Sequence, residues 1–445
     1  MRKNAKNILI YGGFTLMKMS RIVSLILVAV MILSCLASCN LGGSGDSGDG
    51  GDTSGEHEYS DLNGTYEIKM FVSELTGVDE QFQAQIDAFE AKYPGIVINA
   101  TITGLTEADA GSMVVQDVVS APDIYCFAQD QLARLVQANA LAKPITQVKD
   151  EVKSSHDAGS VSAASIDGEM YAYPLTADNG YYMYYDTSII TDPENLEQII
   201  ADVDAYNAAH PKEEKYIRFA LNNAWYTASF FFATGCTSEW VVDGNGQFTG
   251  VNDNWNSDAG LIAMKGMTKL AQFNYYRPEI DTFSDAAVVI TGTWATNAAK
   301  DHFGENLGAT DLPSFTVDGN TYHLGSFTGY KFMGVKPQTD SKRAAVLSLL
   351  AAYLTSEECQ MQRFEKFGWG PSNVNAQAKD EVKNDESLLA LALQGEYGIP
   401  QTQIHGDWWT TAKVLGDNAK DYSTDEELRA CLEAYEYALQ GLLNK

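Results

Sequence analysis

The chain has 445 residues, and its 30 basic and 59 acidic side chains give a formal net charge of −29. This length predicts two or three domains, and a hydrophobic content of 45% is typical of a globular protein. So acidic a surface repels nucleic acid and anionic lipid headgroups, which leaves neutral or cationic ligands as the expected partners.

The N-terminus carries a predicted export signal. A basic stretch precedes the apolar run Ile22–Leu33, which is too short to span a bilayer comfortably and is typical of a signal peptide. Leu36–Cys39 then resembles the bacterial lipobox, whose cysteine receives diacylglycerol. We therefore predict a lipoprotein signal peptide over residues 1–38 and lipidation of Cys39. The alternatives are an ordinary signal peptide cleaved nearby and lipidation of Cys35.

Residues 39–60 are predicted to form the lipidated cysteine and a flexible tether. Gly, Ser and Asp dominate this stretch, and little in it could join a hydrophobic core. Several acyl chains attach a protein durably to a bilayer. We therefore expect the folded body on the extracellular face of the bacterial cell membrane, attached to the membrane through the lipid alone.

The folded body is predicted to open with alternating strands and helices. Strands are expected at Tyr66–Val72, Ile96–Thr103 and Asp123–Phe127. Apolar residues at helical spacing predict helices between them, at Val78–Phe89 and Met113–Val119. This order is typical of a right-handed parallel α/β unit, whose ligand crevice lies at the carboxyl ends of the strands.

Later segments are less regular. Tyr171–Pro174 and Tyr181–Tyr185 are predicted to be extended and are rich in aromatic residues. The C-terminal third is predicted to be mostly helical, with an Ala-rich helix at Ala344–Leu354. The last helix is expected to begin with a capping box formed by Thr424 and Glu427.

Signatures of enzymes and metal sites are missing from the sequence. There is no GxSxG, HExxH, Walker or dinucleotide-binding glycine motif, and the six histidines are far apart. Val242–Gly246 lacks the terminal Glu of a calcium loop and predicts a plain turn. Cys126, Cys236, Cys359 and Cys431 have no metal-binding spacing, and free thiols are favoured over disulfides. We predict no catalytic residue, cofactor or metal, although acidic pairs are too common here for the sequence to single out a glycosidase pair.

Aromatic residues grouped with amides and carboxylates favour a sugar site. Sugar rings stack their C–H faces on aromatic rings, and their hydroxyls bond to planar acceptors. Five clusters of this kind follow apolar runs: Phe127 with Gln129 and Asp130; Asp178 and Asn179 before Tyr181 and Tyr182; Asn222 and Asn223 before Trp225 and Tyr226; Trp294; and His405 with Asp407, Trp408 and Trp409. One such cluster is more often ordinary packing, whereas five together favour carbohydrate binding.

Segments in the same order resemble the maltose/maltodextrin-binding family, within the family-1 extracellular solute-binding proteins of ABC importers. The resemblance extends from about residue 66 to 443 and is carried by Ala121–Asp130, Tyr171–Leu175, Asn222–Thr227, Thr291–Trp294 and Ile399–Trp409. It implies ligand-binding roles for Phe127, Asp130, Asp178, Asn223, Trp225, Trp294, Trp408 or Trp409, and Glu74 in the loop after the first strand.

Three positions depart from the family pattern. Phe127 replaces a tryptophan, Gln131 replaces the arginine that usually follows the aspartate, and Asn223 replaces an acidic residue. These differences leave the identity of the sugar open.

The resemblance implies an α/β, two-lobed periplasmic-binding-protein-like fold with a hinge and a ligand cleft between the lobes. The N-terminal lobe would comprise residues 61–178 plus 328–378, and the C-terminal lobe residues 179–327 plus 379–445. The lobes would close around the bound sugar, and a membrane permease would sense the closed form.

The sequence therefore predicts a monomeric, lipid-anchored solute-binding protein. It would capture an oligosaccharide, with a malto-oligosaccharide favoured, and deliver it to an ABC transporter permease. The alternatives are a binding protein for a different glycan and a sugar sensor for a membrane receptor. An anchored glycoside hydrolase is less favoured because no catalytic signature is present.

Overall fold

The computed structural model describes residues 59–280 and 282–443. The predicted signal peptide, Cys39 and almost all of the predicted tether lie outside the described residues. Within the described part of the chain, no helix is long and apolar enough to cross a membrane.

The elements fall into three stretches of the chain. The first contains β1 (Gly64–Val72), α1 (Val78–Lys92), β2 (Ile96–Gly104), α2 (Glu107–Gln116), β3 (Ile124–Ala128), α3 (Leu132–Gln137), α4 (Thr146–Ser155), α5 (Ala158–Ala163), β4 (Ser165–Ile166), β5 (Glu169–Met170) and β6 (Tyr173–Thr176). The second contains β7 (Tyr182–Asp186), α6 (Leu196–Ala209), β8 (Tyr216–Arg218), α7 (Ala224–Ala233), β9 (Ser238–Val242), β10 (Phe248–Asp253), α8 (Asp258–Ala271), β11 (Tyr276–Arg277), β12 (Ala286–Thr291), α9 (Thr296–Phe303), β13 (Leu307–Thr310), β14 (Ser314–Val317), β15 (Asn320–His323) and β16 (Ser326–Thr328). The third contains β17 (Lys331–Val335), α10 (Ser341–Leu354), α11 (Glu357–Phe367), α12 (Val374–Gln377), α13 (Asp380–Lys383), α14 (Glu386–Gly395), β18 (Gly398–Pro400), α15 (Trp408–Asp417) and α16 (Asp425–Leu442).

The first lobe is built on a five-stranded sheet in the order β2-β1-β3-β17-β6. Strand β1 pairs in parallel with β2 and with β3, which confirms the predicted parallel α/β unit. Strand β17 returns from the distant part of the chain and pairs antiparallel with β3 and β6. Phe82, Ile86 and Phe89 of α1 are fully buried in the core of this lobe, as their helical spacing predicts.

Helix α2 begins earlier than the predicted Met113–Val119. The Thr106 hydroxyl accepts a hydrogen bond from the backbone N–H of Asp109 at 3.1 Å and so caps the helix at its true start. At the other end, the Asp117 side chain accepts from the backbone N–H of Ser120, and the chain turns. This earlier start places the first turn of α2 beside the cleft described below.

The second lobe is built on a separate sheet in the order β11-β8-β12-β7-β13. Its core contains the fully buried Trp255, whose ring stacks on Phe231 at a centroid distance of 3.9 Å and on Tyr435 at 5.3 Å. Tyr435 belongs to α16, and the predicted capping box of Thr424 and Glu427 at the start of that helix is confirmed.

Two chain segments connect the lobes side by side. Residues 177–181 lead from β6 to β7, and residues 329–330 lead from β16 to β17. The backbone N–H of Asn179 donates to the carbonyl of Gly329 at 3.2 Å, which joins the two segments. Two sheets, two cores and paired crossings confirm the predicted two-lobed fold with a cleft between the lobes.

The segment from α12 to α14 packs against both lobes. Val382 lies in a small apolar cluster with Phe364 of α11, and Leu388 packs against this cluster. Ala390 instead packs with Tyr182 and Tyr184 of the second lobe. The predicted lobe boundary at residues 378 and 379 therefore stays a prediction.

Two further sequence predictions concern local features. All four cysteines of the described chain are free, and Cys126, Cys236 and Cys359 are buried. The predicted turn at Val242–Gly246 connects β9 to β10, and the Asp243 carboxylate accepts from the backbone N–H groups of Asn245 and Gln247.

Candidate functional site

A cavity of about 620 Å³ lies between the lobes, within the size range of small-molecule sites. The first lobe contributes the charged side chains of its wall: Glu74, Glu107, Asp109, Asp130, Arg134 and Lys331. The second lobe contributes aromatic rings and an amide: Asn223, Trp225, Trp294 and Trp409. Six of the sequence-predicted site residues, namely Glu74, Asp130, Asn223, Trp225, Trp294 and Trp409, thus meet at one cavity.

The two tryptophans of the second lobe form an aromatic wall. The ring centroids of Trp225 and Trp294 lie 5.8 Å apart at an interplanar angle of 35°. Asn223 caps α7, and its Oδ1 accepts from the backbone N–H of Trp225 at 3.0 Å. The Tyr181 hydroxyl donates to the carbonyl of Trp225 at 2.8 Å, and its ring packs edge-on against the indole. These contacts restrain the backbone of Trp225 and pack its indole at the wall of the cavity.

Asp130 joins the lobes through a hydrogen-bond network. Its two carboxylate oxygens accept from Gln401 Nε2 at 3.1 Å and from Trp409 Nε1 at 3.2 Å. Gln401 Oε1 in turn accepts from Asn179 Nδ2 at 2.5 Å. Burial raises the pKa of the Asp130 carboxyl to about 6, and the nearby Arg134 guanidinium opposes this rise.

Phe127 lies in the core of the first lobe and does not line the cleft. Its fully buried ring packs against Tyr125 at 5.9 Å and Phe332 at 5.8 Å. Successive side chains of a strand point to opposite faces, and here Ala128 is the residue that reaches the cavity. The ligand-binding role predicted for Phe127 is therefore not supported by its position.

The structure separates the two adjacent tryptophans of α15. Trp408 is 1% exposed, and its Nε1 donates to the Tyr435 hydroxyl at 3.0 Å within the core of the second lobe. Trp409 lines the cleft and bonds to Asp130. Because neighbouring residues on a helix point about 100° apart, Trp409 faces the cleft while Trp408 faces the core.

Asp178 lies beneath the aromatic wall and not on the surface of the interlobe cavity. Its Oδ2 accepts from the Thr293 hydroxyl at 2.6 Å and from the backbone N–H of Gly370 at 2.7 Å. These bonds hold the turn that carries Trp294 against the interlobe crossing. Asp178 instead borders a second cavity of about 640 Å³, which lies between the crossings and α14.

Gln131, which departs from the family pattern, has a structural role. Its buried side chain accepts from the backbone N–H of Gly111 at 2.5 Å and donates to the carbonyl of Glu107 at 2.5 Å. It thereby holds the first turn of α2 and the position of Glu107 at the cleft.

Sequence reasoning missed several wall residues. Asn179 stands in one of the five clusters but was given no ligand-binding role, and Gln401 lies inside the Ile399–Trp409 segment, so the aromatic–amide pattern could have assigned both to the wall. Glu107, Arg134 and Lys331 stand outside any such cluster, and nothing local separates them from the many charged surface residues of this chain.

The tip of the β9–β10 hairpin also bridges the lobes. Gly246 has a φ of 81°, and a Cβ placed there would collide with the carbonyl oxygen of Ala133 on the first lobe. Nearby, the backbone N–H of Ala133 donates to Gln403 Oε1 at 2.7 Å. The lobes thus contact each other across the mouth of the cleft, an arrangement that we call the closed form.

Comparison with solved structures shows the same fold in several proteins. The structure is similar to a maltodextrin-binding domain, MalE, from Bdellovibrio bacteriovorus bound to maltotriose, with a TM-score of 0.70, 20% identity, and coverage of 85% of this chain and 100% of that one. It is also similar to the maltodextrin-binding protein MalE1 from L. casei BL23, with a TM-score of 0.68, 19% identity, and coverage of 84% and 98%. A third similar structure is the GacH receptor of Streptomyces glaucescens GLA.O, with a TM-score of 0.70, 15% identity, and coverage of 85% and 98%. At these identities the likeness establishes the fold.

Sequence comparison establishes the family. No curated protein sequence matches the chain. The family profile for bacterial extracellular solute-binding proteins, in contrast, matches residues 84–390, which is more than half of the chain. This protein belongs to the bacterial extracellular solute-binding protein family.

Proposed function

We propose that this protein captures a neutral oligosaccharide between its lobes, with a malto-oligosaccharide favoured. The observation that carries the proposal is the division of the cleft into two walls. Trp225 and Trp294 offer flat apolar faces for sugar rings, while the opposite wall offers carboxylates such as Glu74 and Asp109 to sugar hydroxyls. The similar proteins bound to maltotriose or acarbose support the choice of an α-glucan.

The arrangement of the acidic side chains supports binding and not hydrolysis. A glycosidase needs one carboxyl to donate a proton and a second to act as base or nucleophile. Both oxygens of Asp130 accept hydrogen bonds from Gln401 and Trp409, and Glu107 forms an ion pair with Lys331. We therefore propose that the ligand leaves the cleft unchanged.

We further propose that the captured glycan passes to an ABC transporter permease at the cell surface. In this scheme, Cys39 carries the lipid anchor and residues 40–60 let the folded body reach the permease. Closing of the lobes around the ligand would provide the shape that the permease recognises.

A glycan panel tests the proposal. Maltotriose, maltotetraose, cellotriose and xylotriose would be titrated into the purified protein by calorimetry. At least one glycan should bind, change tryptophan fluorescence and raise the melting temperature, with about 2.7 kcal/mol of added stability at a hundredfold excess over Kd. Absence of heat and of a thermal shift with every glycan contradicts the proposal, as does release of shorter sugars from maltotetraose on prolonged incubation.

The closed form gives a second prediction. Gly246→Ala should raise the Kd for the bound glycan by about 5- to 100-fold, because the added Cβ collides with Ala133 only when the lobes close. Gly235→Ala is a matched control, since Gly235 has the same φ of 81° and nothing within 4 Å of its Cβ position. Equal affinities for the two variants would show that the hairpin contact does not contribute to closure.

A further inference from the structure

Lys331 is an unusually buried cation in the cleft wall. It is the first residue of β17, directly after the interlobe crossing, and it is 9% exposed. Its Nζ lies 5.0 Å from the ring centroid of Trp294 and 5.8 Å from that of Trp369. The ammonium group is therefore held against the aromatic wall from the opposite lobe.

Glu107 is the ionic partner of Lys331. The Nζ to Oε1 distance is 3.8 Å, which is longer than a direct hydrogen bond. Within the described part of the chain, the buried Oε1 of Glu107 has no hydrogen-bond donor. Buried charges are costly unless their hydrogen-bonding capacity is used, so this pair is incomplete as it stands.

The position of the pair is fixed by its surroundings. Gln131 holds the backbone of Glu107 at the start of α2, and Lys331 is anchored in the sheet between β3 and β6. A donor group and an acceptor group thus lie side by side near Trp294. Each hydroxyl of a sugar both donates and accepts, so two neighbouring hydroxyls on one ring match such a pair.

We propose that Lys331 and Glu107 together recognise two adjacent hydroxyls of a neutral sugar ring seated beside Trp294. Lys331 would donate to one hydroxyl, and Glu107 would accept from the other. This inference rests on the proposed glycan-binding function and names a specificity-determining pair within it. Carboxylates outnumber cations on this wall, so an anionic sugar such as a uronic acid is disfavoured.

The test uses variants that remove one partner with little change of shape. Lys331→Met keeps the length of the side chain and removes its charge, and Glu107→Gln keeps the shape and removes the carboxylate. With the panel glycan that binds the wild-type protein most tightly, each variant should raise the Kd by about 10- to 100-fold. The double variant should raise the Kd by less than the product of the two single-variant fold increases, because the pair acts as a unit.

A surface lysine provides the control. Lys269→Met removes an exposed lysine paired with Glu197 on the second lobe and should leave the Kd unchanged. Analogues of the binding glycan that lack two adjacent hydroxyls, prepared for each such pair on each ring, supply a second readout. The wild-type protein should discriminate against one of them by about 10- to 100-fold, and Lys331→Met should lose most of this discrimination.

The outcomes separate this inference from the proposed function. If the wild-type protein binds no glycan, the proposed function fails. If it binds a glycan, and folded Lys331→Met and Glu107→Gln bind that glycan as tightly as the wild-type protein does, the inference is overturned and the proposed function stands. A melting curve identifies a variant that does not fold. The analogue series on the wild-type protein then decides, because failure to discriminate against any analogue of the series overturns the inference.

Discussion

Replacing Trp294 by alanine should weaken glycan binding by about 30- to 1000-fold, which corresponds to roughly 2–4 kcal/mol. The indole of Trp294 provides one of the two flat faces of the aromatic wall, and it lies 5.8 Å from that of Trp225. The substitution removes this stacking surface and lets water reach the opposite polar wall. Calorimetry with the panel glycan that binds most tightly measures the loss, and Trp225→Ala should show a loss of similar size.

A matched control is available on α15. Trp408→Phe changes a tryptophan that lies in the core of the second lobe, where its Nε1 bonds to Tyr435. This variant should lower the melting temperature slightly and leave the Kd unchanged. Unaltered affinity in folded Trp294→Ala would show that the glycan does not stack on this wall.

The pH dependence of stability should report on Asp130. Its native pKa of about 6 lies above the value of about 3.9 expected in the unfolded chain. Between roughly pH 4 and 6, Asp130 therefore carries a proton in the native protein that it has lost in the unfolded chain. The free energy of unfolding consequently falls as pH rises through this window. A shift of about two units corresponds to roughly 3 kcal/mol, so the charged carboxylate is a net cost at neutral pH.

Asp130→Asn removes this titration. The unfolding free energy of the variant minus that of the wild-type protein should increase by roughly 2–3 kcal/mol from pH 4 to pH 7.5. Urea denaturation at both pH values measures this change. Asp204→Asn, on the exposed face of α6, is the control and should show no such change. A pH-independent difference between wild type and Asp130→Asn would contradict the assignment.

The sequence predicted the parallel β1-α1-β2 unit because local signals and tertiary packing agree there. Phe82, Ile86 and Phe89 repeat at helical spacing, and the sheet offers one apolar face to receive them. Helix α2 was predicted to begin too late in the chain, because its start depends on one capping hydroxyl, Thr106, and not on an apolar repeat.

The candidate site was predicted where aromatic residues stand next to amides or carboxylates. Trp225 was identified in this way, and Trp294 was identified through the Thr291–Trp294 segment of the family resemblance. Lys331 was not identified, because its position in the cleft wall depends on β17 returning from the distant part of the chain to lie between β3 and β6. A single lysine after a glycine-rich stretch carries no local sign of burial.

The sequence by itself determined the two-lobed α/β class, the family resemblance and the aromatic character of one wall of the cleft, since these depend on residue type and order along the chain. The roles of Cys39 and the tether stay predictions from the sequence alone. Only the tertiary structure decided that Trp409 and not Trp408 faces the cleft, and that Phe127 lies in the core. The physical reason is that the direction of a side chain depends on which face of its helix or strand packs against the rest of the protein, and that packing is set by distant parts of the chain.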